Sequence, residues 1–154
     1  MRAAHKEARE QGRFMPITKV FERLFVSDAC DADLLAVSNP LGITTVVNVS
    51  TVASCSKQDG IKYIHFPLDE ADRVPPRKLE QVITAISQLI RGGKVLVHCA
   101  AGSSRSPVVV ALYLHVVGYK NFDDALSQLK ELRSGVIPSK LAIESAKNYL
   151  NEMI

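Results

Sequence analysis

The chain has 154 residues, 47% of them hydrophobic and 23% charged, which is one globular domain's worth of sequence with enough apolar residues to bury a core unaided by disulfides. No apolar run approaches the ~18 residues of a membrane-spanning helix, residues 1–13 lack the apolar centre of a signal peptide, and three cysteines, an odd number without framework spacing, argue against a secreted disulfide scaffold. A net charge of +3 without a dense basic run, and only 6% aromatic residues, give no sign of a nucleic-acid surface.

Residues 1–15 read as an N-terminal helix or tail, with helix formers and charges over 3–11, and residues 16–154 as a single domain. Residues 18–26 hold Val20, Phe21, Leu24, Phe25 and Val26, a strand expected to turn at Ser27-Asp28. A short helix is predicted over 31–38 and ended by Asn39-Pro40, because Pro40 disfavours a helical Asn39. The β-branched run 43–49 reads as a buried parallel strand. Lys57 to Gly60 is a turn signal, 61–66 a short strand, and 67–76 a loop rich in acids and prolines.

In residues 78–90, Leu79, Val82, Ile83, Ile86, Leu89 and Ile90 recur at helical spacing, and Gly92-Gly93 closes that amphipathic helix. A buried strand over 94–97 leads to Cys99, and 107–114 is apolar enough for a buried helix. Two amphipathic helices follow over 123–132 and 140–150, separated by Gly135 and Pro138. Strands alternate with helices to about residue 100, which predicts an α/β fold with a small, mostly parallel sheet of about 4–5 strands and helices on both faces. Active sites of such sheets lie beyond the carboxyl ends of the strands, where Cys99 stands.

The informative segment is His98-Cys99-Ala100-Ala101-Gly102-Ser103-Ser104-Arg105-Ser106. A strand, a tight loop of small residues and a helix N-terminus together aim successive backbone N–H groups at one spot that attracts an anion. A thiol at the start of such a loop is stabilised as the thiolate by the amides and the helix dipole. Arg105 offers a planar fork for two phosphate oxygens, and at a helix N-terminus its charge opposes the dipole unless an anion lies nearby. A lone cysteine is ordinarily a small buried hydrophobe, but the accompanying arginine and loop argue against that reading for Cys99. The loop lacks the Gly-Lys-Ser/Thr ending of a nucleotide-binding loop.

His98-Cys99, five further residues and Arg105-Ser106 resemble the signature of cysteine-dependent phosphatases, and Gly102 to Ser106 looks like its dual-specificity protein phosphatase branch. The likeness extends over roughly residues 20–150, through Leu24-Phe25-Val26-Ser27, Leu41 to Val49, Ala111 to Leu114, and Asp124-Ala125 through Arg133 to Pro138. It implies a dual-specificity-phosphatase-like fold, and makes residues 16–154 a phosphatase catalytic domain. Cys99 is then the nucleophile that forms a phosphocysteine, with Arg105 binding the phosphoryl oxygens. The backbone N–H groups of Ala100, Ala101, Gly102, Ser103, Ser104 and Arg105 form the cradle, where small side chains leave the phosphate room. Ser106 is implied as hydrogen-bond donor to the leaving thiolate, with a plain N-cap serine as the competing account. His98 is expected to orient the loop, or to be a satisfied core histidine.

A leaving oxygen needs a proton, and the family's acid lies some thirty residues before the cysteine. Asp69, thirty residues before Cys99, fits best, with Asp72 and Glu70 as alternatives. Cys30 and Cys55 are candidates to pair with an oxidised Cys99. His5, His65 and His115 have no ligand-like spacing, so neither metal nor cofactor is expected.

The resemblance implies metal-independent hydrolysis of phosphomonoesters, on phosphotyrosine and phosphoserine or phosphothreonine of proteins. The short chain, without an added N-terminal recognition segment, points to a shallow cleft and dual specificity. The nucleophilic thiol requires a reducing compartment, taken as the cytoplasm, and no nucleic-acid or membrane partner is expected. The same chemistry on a phosphoinositide, an RNA 5′-phosphate or a sugar phosphate is the alternative, disfavoured by the absence of lysine between Cys99 and Arg105. A non-catalytic phosphoprotein-binding module conflicts with the presence of nucleophile, arginine and acid, and sulfur transfer conflicts with Arg105-Ser106 and Asp69.

Overall fold

A computed structural model describes residues 17–54 and 56–153; the predicted helix or tail over 3–11, and Cys55, lie outside the described residues. Five strands form one sheet: β1 (Ile17–Phe21), β2 (Leu24–Ser27), β3 (Ile43–Asn48), β4 (Lys62–His65) and β5 (Lys94–His98), in the order β1-β2-β5-β3-β4. Only the β1–β2 pair is antiparallel; β2–β5, β5–β3 and β3–β4 are parallel. The helices are α1 (Ala29–Leu34), α2 (Pro76–Leu89), α3 (Arg105–Val116), α4 (Phe122–Leu132) and α5 (Lys140–Met153). Among the described residues no helix is long and apolar enough to cross a membrane.

The alternation of side chains along each strand divides the core in two. Leu24 and Val26 of β2, Val47 of β3 and Val95 and Val97 of β5 face a large cluster shared with α2, α3, α4 and α5. Phe25, Ile43, Val46 and Leu96 face the other side, where Ala32 of α1 and Leu35 cover them. Helices therefore flank both faces, four on one and α1 on the other. At the centre lies α3, which is buried from Arg105 to Leu114 and packs against α2, α4, α5 and the strands β2 and β5. A helix apolar on every side requires such a surrounded position.

Four expectations differ from the structure. The single strand expected over 18–26 is a hairpin, because Glu22 adopts φ +37° and turns the chain between β1 and β2. Its turn contains no Gly, Asn or Pro, so no breaker marks it. The helix expected over 31–38 begins earlier: Asp28 is its N-cap, accepting from Asp31 N at 2.8 Å, and the helix ends at Leu34. Strands and helices do not strictly alternate either, since among the described residues no helix separates β3 from β4. Helix α2 starts at Pro76, two residues before the periodic pattern, because proline suits the first helical turn.

The helices also hold one another by polar contacts: Tyr149 of α5 donates to Glu80 of α2 at 2.7 Å, and burial together with this carboxylate pushes the Tyr149 phenol well above its ordinary value. Leu112→Ala, at a fully buried position of α3, is expected to cost about 2–5 kcal/mol. Tyr149→Phe is expected to cost about 1 kcal/mol. Urea unfolding monitored by circular dichroism checks both, with the midpoint falling and the slope unchanged.

Candidate active site

The parallel strands β2, β5 and β3 end side by side, with Ser27, His98 and Asn48 paired across them. The central position of β5 puts the loop that follows it between the exits of its neighbours. Val49 N donates to His98 O at 2.8 Å, and Ala29 N donates to Ala100 O at 3.0 Å. The loop is thus gripped from both sides as soon as it leaves the sheet.

The loop's carbonyls and amides have opposite fates. Cys99 O lies 3.2 Å from His98 Nδ1. Ala100 O takes Ala29 N, and Ser103 O accepts from Ile137 N at 2.8 Å. Gly102 O accepts from Arg133 Nε at 3.4 Å. In a trans peptide the C=O and the following N–H point in opposite directions. Carbonyls bound to the scaffold therefore turn the N–H groups of Ala100, Ala101, Ser103 and Ser104 the other way. Among the described residues, the N–H groups of 100–104 have no protein acceptor.

Gly102 is required on two counts. Its φ of +69° is left-handed, and a Cβ there would stand 2.8 Å from Ser27 O and 2.9 Å from Arg133 Nη2. Ser104 takes the N-cap position of α3, but its hydroxyl accepts from Ser139 N at 2.9 Å and makes no cap bond. Ser106 is thus inside the helix rather than its cap, and its Oγ lies 3.2 Å from Cys99 Sγ. Both residues are buried, Cys99 at 2% exposure and Ser106 at 0%. The thiol therefore has a hydroxyl partner in a desolvated setting.

Arg105, also nearly buried, donates from Nη1 to Leu68 O at 3.1 Å, and its Nη2 lies 3.4 Å from Glu70 Oε2. Of the three acids in the preceding loop, the structure brings Glu70 to the arginine. Asp69 is exposed and accepts from Ala71 N at 2.9 Å, while Asp72 accepts from Arg73 N at 3.0 Å. Both line a cavity with Val74, Pro75 and Lys78 that no residue of the 99–105 loop borders. Spacing along the chain could not separate these acids, because three of four consecutive residues carry a carboxylate and the loop backbone decides which one turns inward.

His98 is buried, and desolvation pushes its imidazole below its ordinary value, against the Cys99 carbonyl contact and the charges of Asp33 and Asp28. A neutral ring bonded to the loop backbone suits orientation rather than proton transfer. His65 Nε2 lies 2.7 Å from Ser50 O, and His115 Nδ1 accepts from Phe122 N at 3.0 Å, so both are tied into the scaffold. Cys30 is half-buried at the second position of α1. Sequence reasoning gave Arg133 no part in the site, yet from the end of α4 it reaches Gly102; no local pattern announces a contact across 31 residues.

Comparison with known proteins places this geometry in a family. Residues 24–150 match the profile of the dual specificity phosphatase catalytic domain. The human protein tyrosine phosphatase type IVA 3 is 35% identical over 105 residues, which cover 64% of this chain and 60% of that protein. The chain thus spans about 60% of the length of the type IVA 3 relatives it matches. Mouse dual specificity protein phosphatase 18 is 30% identical over 140 residues, covering 86% of this chain and 72% of the relative. A mouse putative dual specificity phosphatase complexed with zinc tungstate superposes with a TM-score of 0.78 at 29% identity, over 90% of this chain and 88% of that one. Human DUSP28 gives 0.77 at 25% identity, over 90% of this chain and 95% of that one. With its loop held by the carbonyls, and with a match that runs from β2 into α5, the chain belongs to the dual specificity phosphatase family.

Proposed function

We propose that this chain hydrolyses phosphomonoesters without a metal, by two in-line displacements at Cys99, and that its substrates are proteins carrying phosphotyrosine and phosphoserine or phosphothreonine. The observation that supports it best is the set of N–H groups at 100–104, which among the described residues have no acceptor, around a buried thiol that has a hydroxyl 3.2 Å away. Such a cradle complements three equatorial phosphoryl oxygens while the sulfur lies in line with phosphorus. The mouse putative dual specificity phosphatase was crystallised complexed with zinc tungstate, and tungstate is a tetrahedral oxyanion like phosphate.

In the first displacement the Cys99 thiolate attacks phosphorus, the S–P bond forms, and the P–O bond to the leaving group breaks. The leaving oxygen takes a proton from a carboxylic acid. In the second, water attacks phosphorus and gives a proton to the carboxylate left by the first step, the S–P bond breaks, and the Ser106 hydroxyl donates to the departing thiolate. Arg105 would hold two phosphoryl oxygens throughout. The amides, the α3 dipole and Arg105 together supply the positive charge that a metal supplies elsewhere. A reducing compartment such as the cytoplasm keeps the thiol available.

Asp69 is the proposed acid, from its spacing to Cys99 and its exposed position in the 67–76 loop. A second reading assigns the proton to Glu70, favoured by its 3.4 Å approach to Arg105. Cys99→Ser is expected to abolish turnover of p-nitrophenyl phosphate by several orders of magnitude while a phosphopeptide still binds; full residual activity would sink the mechanism. Asp69→Asn is expected to slow phenyl phosphate about 10²-fold or more and p-nitrophenyl phosphate far less, because an activated leaving group needs no proton. The same leaving-group pattern in Glu70→Gln, with Asp69→Asn unaffected, transfers the role to Glu70.

A further inference from the structure

An arginine at a helix end ordinarily extends its head into solvent. Arg133, the C-cap residue of α4, is instead only 2% exposed. Burying a guanidinium is costly unless its donors are satisfied and acids compensate the charge. Both conditions hold beside the catalytic loop. Nε donates to Gly102 O at 3.4 Å, Nη1 donates to Thr18 Oγ1 of β1 at 3.3 Å, and Nη2 lies 2.9 Å from the place a Gly102 Cβ would take. The buried acids Asp28 and Asp31, before and within α1, face it. Desolvation pushes the guanidinium below its ordinary value, and Asp28, Asp31 and Cys99 push it back up, so the nucleophile belongs to its electrostatic surroundings.

Gly102 O shares a peptide with Ser103 N–H, so a donor pulling on the carbonyl points that N–H in the opposite direction. The other titratable groups near Cys99 are differently engaged. Arg105 from α3 is held by Leu68 O and Glu70, and His98 from β5 contacts the Cys99 carbonyl. Among the described residues, Arg133 is the cation outside the loop that reaches its backbone.

We infer that Arg133 is a positioning residue of the catalytic loop: its guanidinium fixes the Gly102–Ser103 peptide so that the Ser103 N–H faces the phosphoryl group, and it sets a buried positive charge near the Cys99 thiolate. Thr18 anchors the guanidinium from β1. This role rests on the phosphatase reading, but the anion preference of the loop can be measured without turnover.

The test compares the full chain with Arg133→Met, Arg133→Lys and Thr18→Val, each checked for folding by circular dichroism. Two readouts are the inhibition constant of orthovanadate against p-nitrophenyl phosphate, and the ratio of Cys99 alkylation rates by iodoacetate and iodoacetamide at neutral pH. Only the first reagent is an anion, so a change in simple accessibility alters both rates alike and leaves the ratio unmoved. Arg133→Met is expected to lower the ratio and weaken vanadate about tenfold, the scale of one lost charge-assisted hydrogen bond. Arg133→Lys should recover most of the ratio, because the charge persists, but less of the vanadate affinity, because a single ammonium cannot reproduce the two-point grip. Thr18→Val should weaken vanadate by about threefold, the smaller scale of a neutral hydrogen bond.

A folded Arg133→Met with unchanged ratio and vanadate affinity overturns the inference. If that variant does not fold, Arg133→Lys decides: undiminished vanadate affinity there overturns it equally. Should wild-type protein fail to turn over p-nitrophenyl phosphate yet show an iodoacetate preference that Arg133→Met removes, the phosphatase reading fails and the positioning role stands.

Discussion

The site depends on one constraint: the loop after β5 commits its carbonyls to the scaffold. Helix α1, the 133–139 segment and His98 each take a carbonyl oxygen from it. Because peptide groups are planar and trans, binding one side of each unit orients the other. The amides turn inward without any side chain placed to aim them. Among the described residues these amides have no protein acceptor, so they offer an anion a set of hydrogen bonds that the protein itself does not use. Gly102 makes the arrangement possible, since any side chain there would collide with Ser27 O and Arg133.

Charge is distributed around this loop so that the resting state is neutralised by contacts that yield easily. Arg105 leans on Glu70, a residue 47% exposed, and pairs of that exposure contribute about 0–1 kcal/mol. A phosphoryl group offering charge-assisted hydrogen bonds of about 1.5–3 kcal/mol each would displace the carboxylate. Arg105 also donates to Leu68 O, so one side chain links the phosphate-facing loop to the loop that carries the acids. Behind the loop the logic is reversed. Arg133 and its facing acids are buried, and a buried pair is hard to break, which suits a part of the site that should not move.

Much of the architecture is legible along the chain. Periodicity identifies α2, α3, α4 and α5 because each buries a continuous face, and the β-branched run of β3 announces a strand covered on both sides. The β1–β2 hairpin is invisible there because Glu22 turns the chain with an ordinary side chain at φ +37°. Asp28 reads as part of a turn, whereas its carboxylate caps α1 and so starts the helix early. At the hairpin the conformational choice is settled by packing rather than by propensity, since Val20, Leu24 and Val26 all enter one core.

The loop after β5 can be recognised from sequence because its parts are neighbours: thiol, glycine, arginine and serine occupy eight consecutive residues, and a strand–loop–helix unit converts that order directly into geometry. The acid and the brace cannot. Asp69, Glu70 and Asp72 are chemically alike, and it is the burial of Leu68 and the course of the loop backbone that turn Glu70 toward Arg105. Arg133 meets Thr18 across 115 residues and Gly102 across 31. Contacts at such separations leave no periodicity or spacing in a single chain; they exist only once the helices have packed and the last turn of α4 has been carried to the back of the loop.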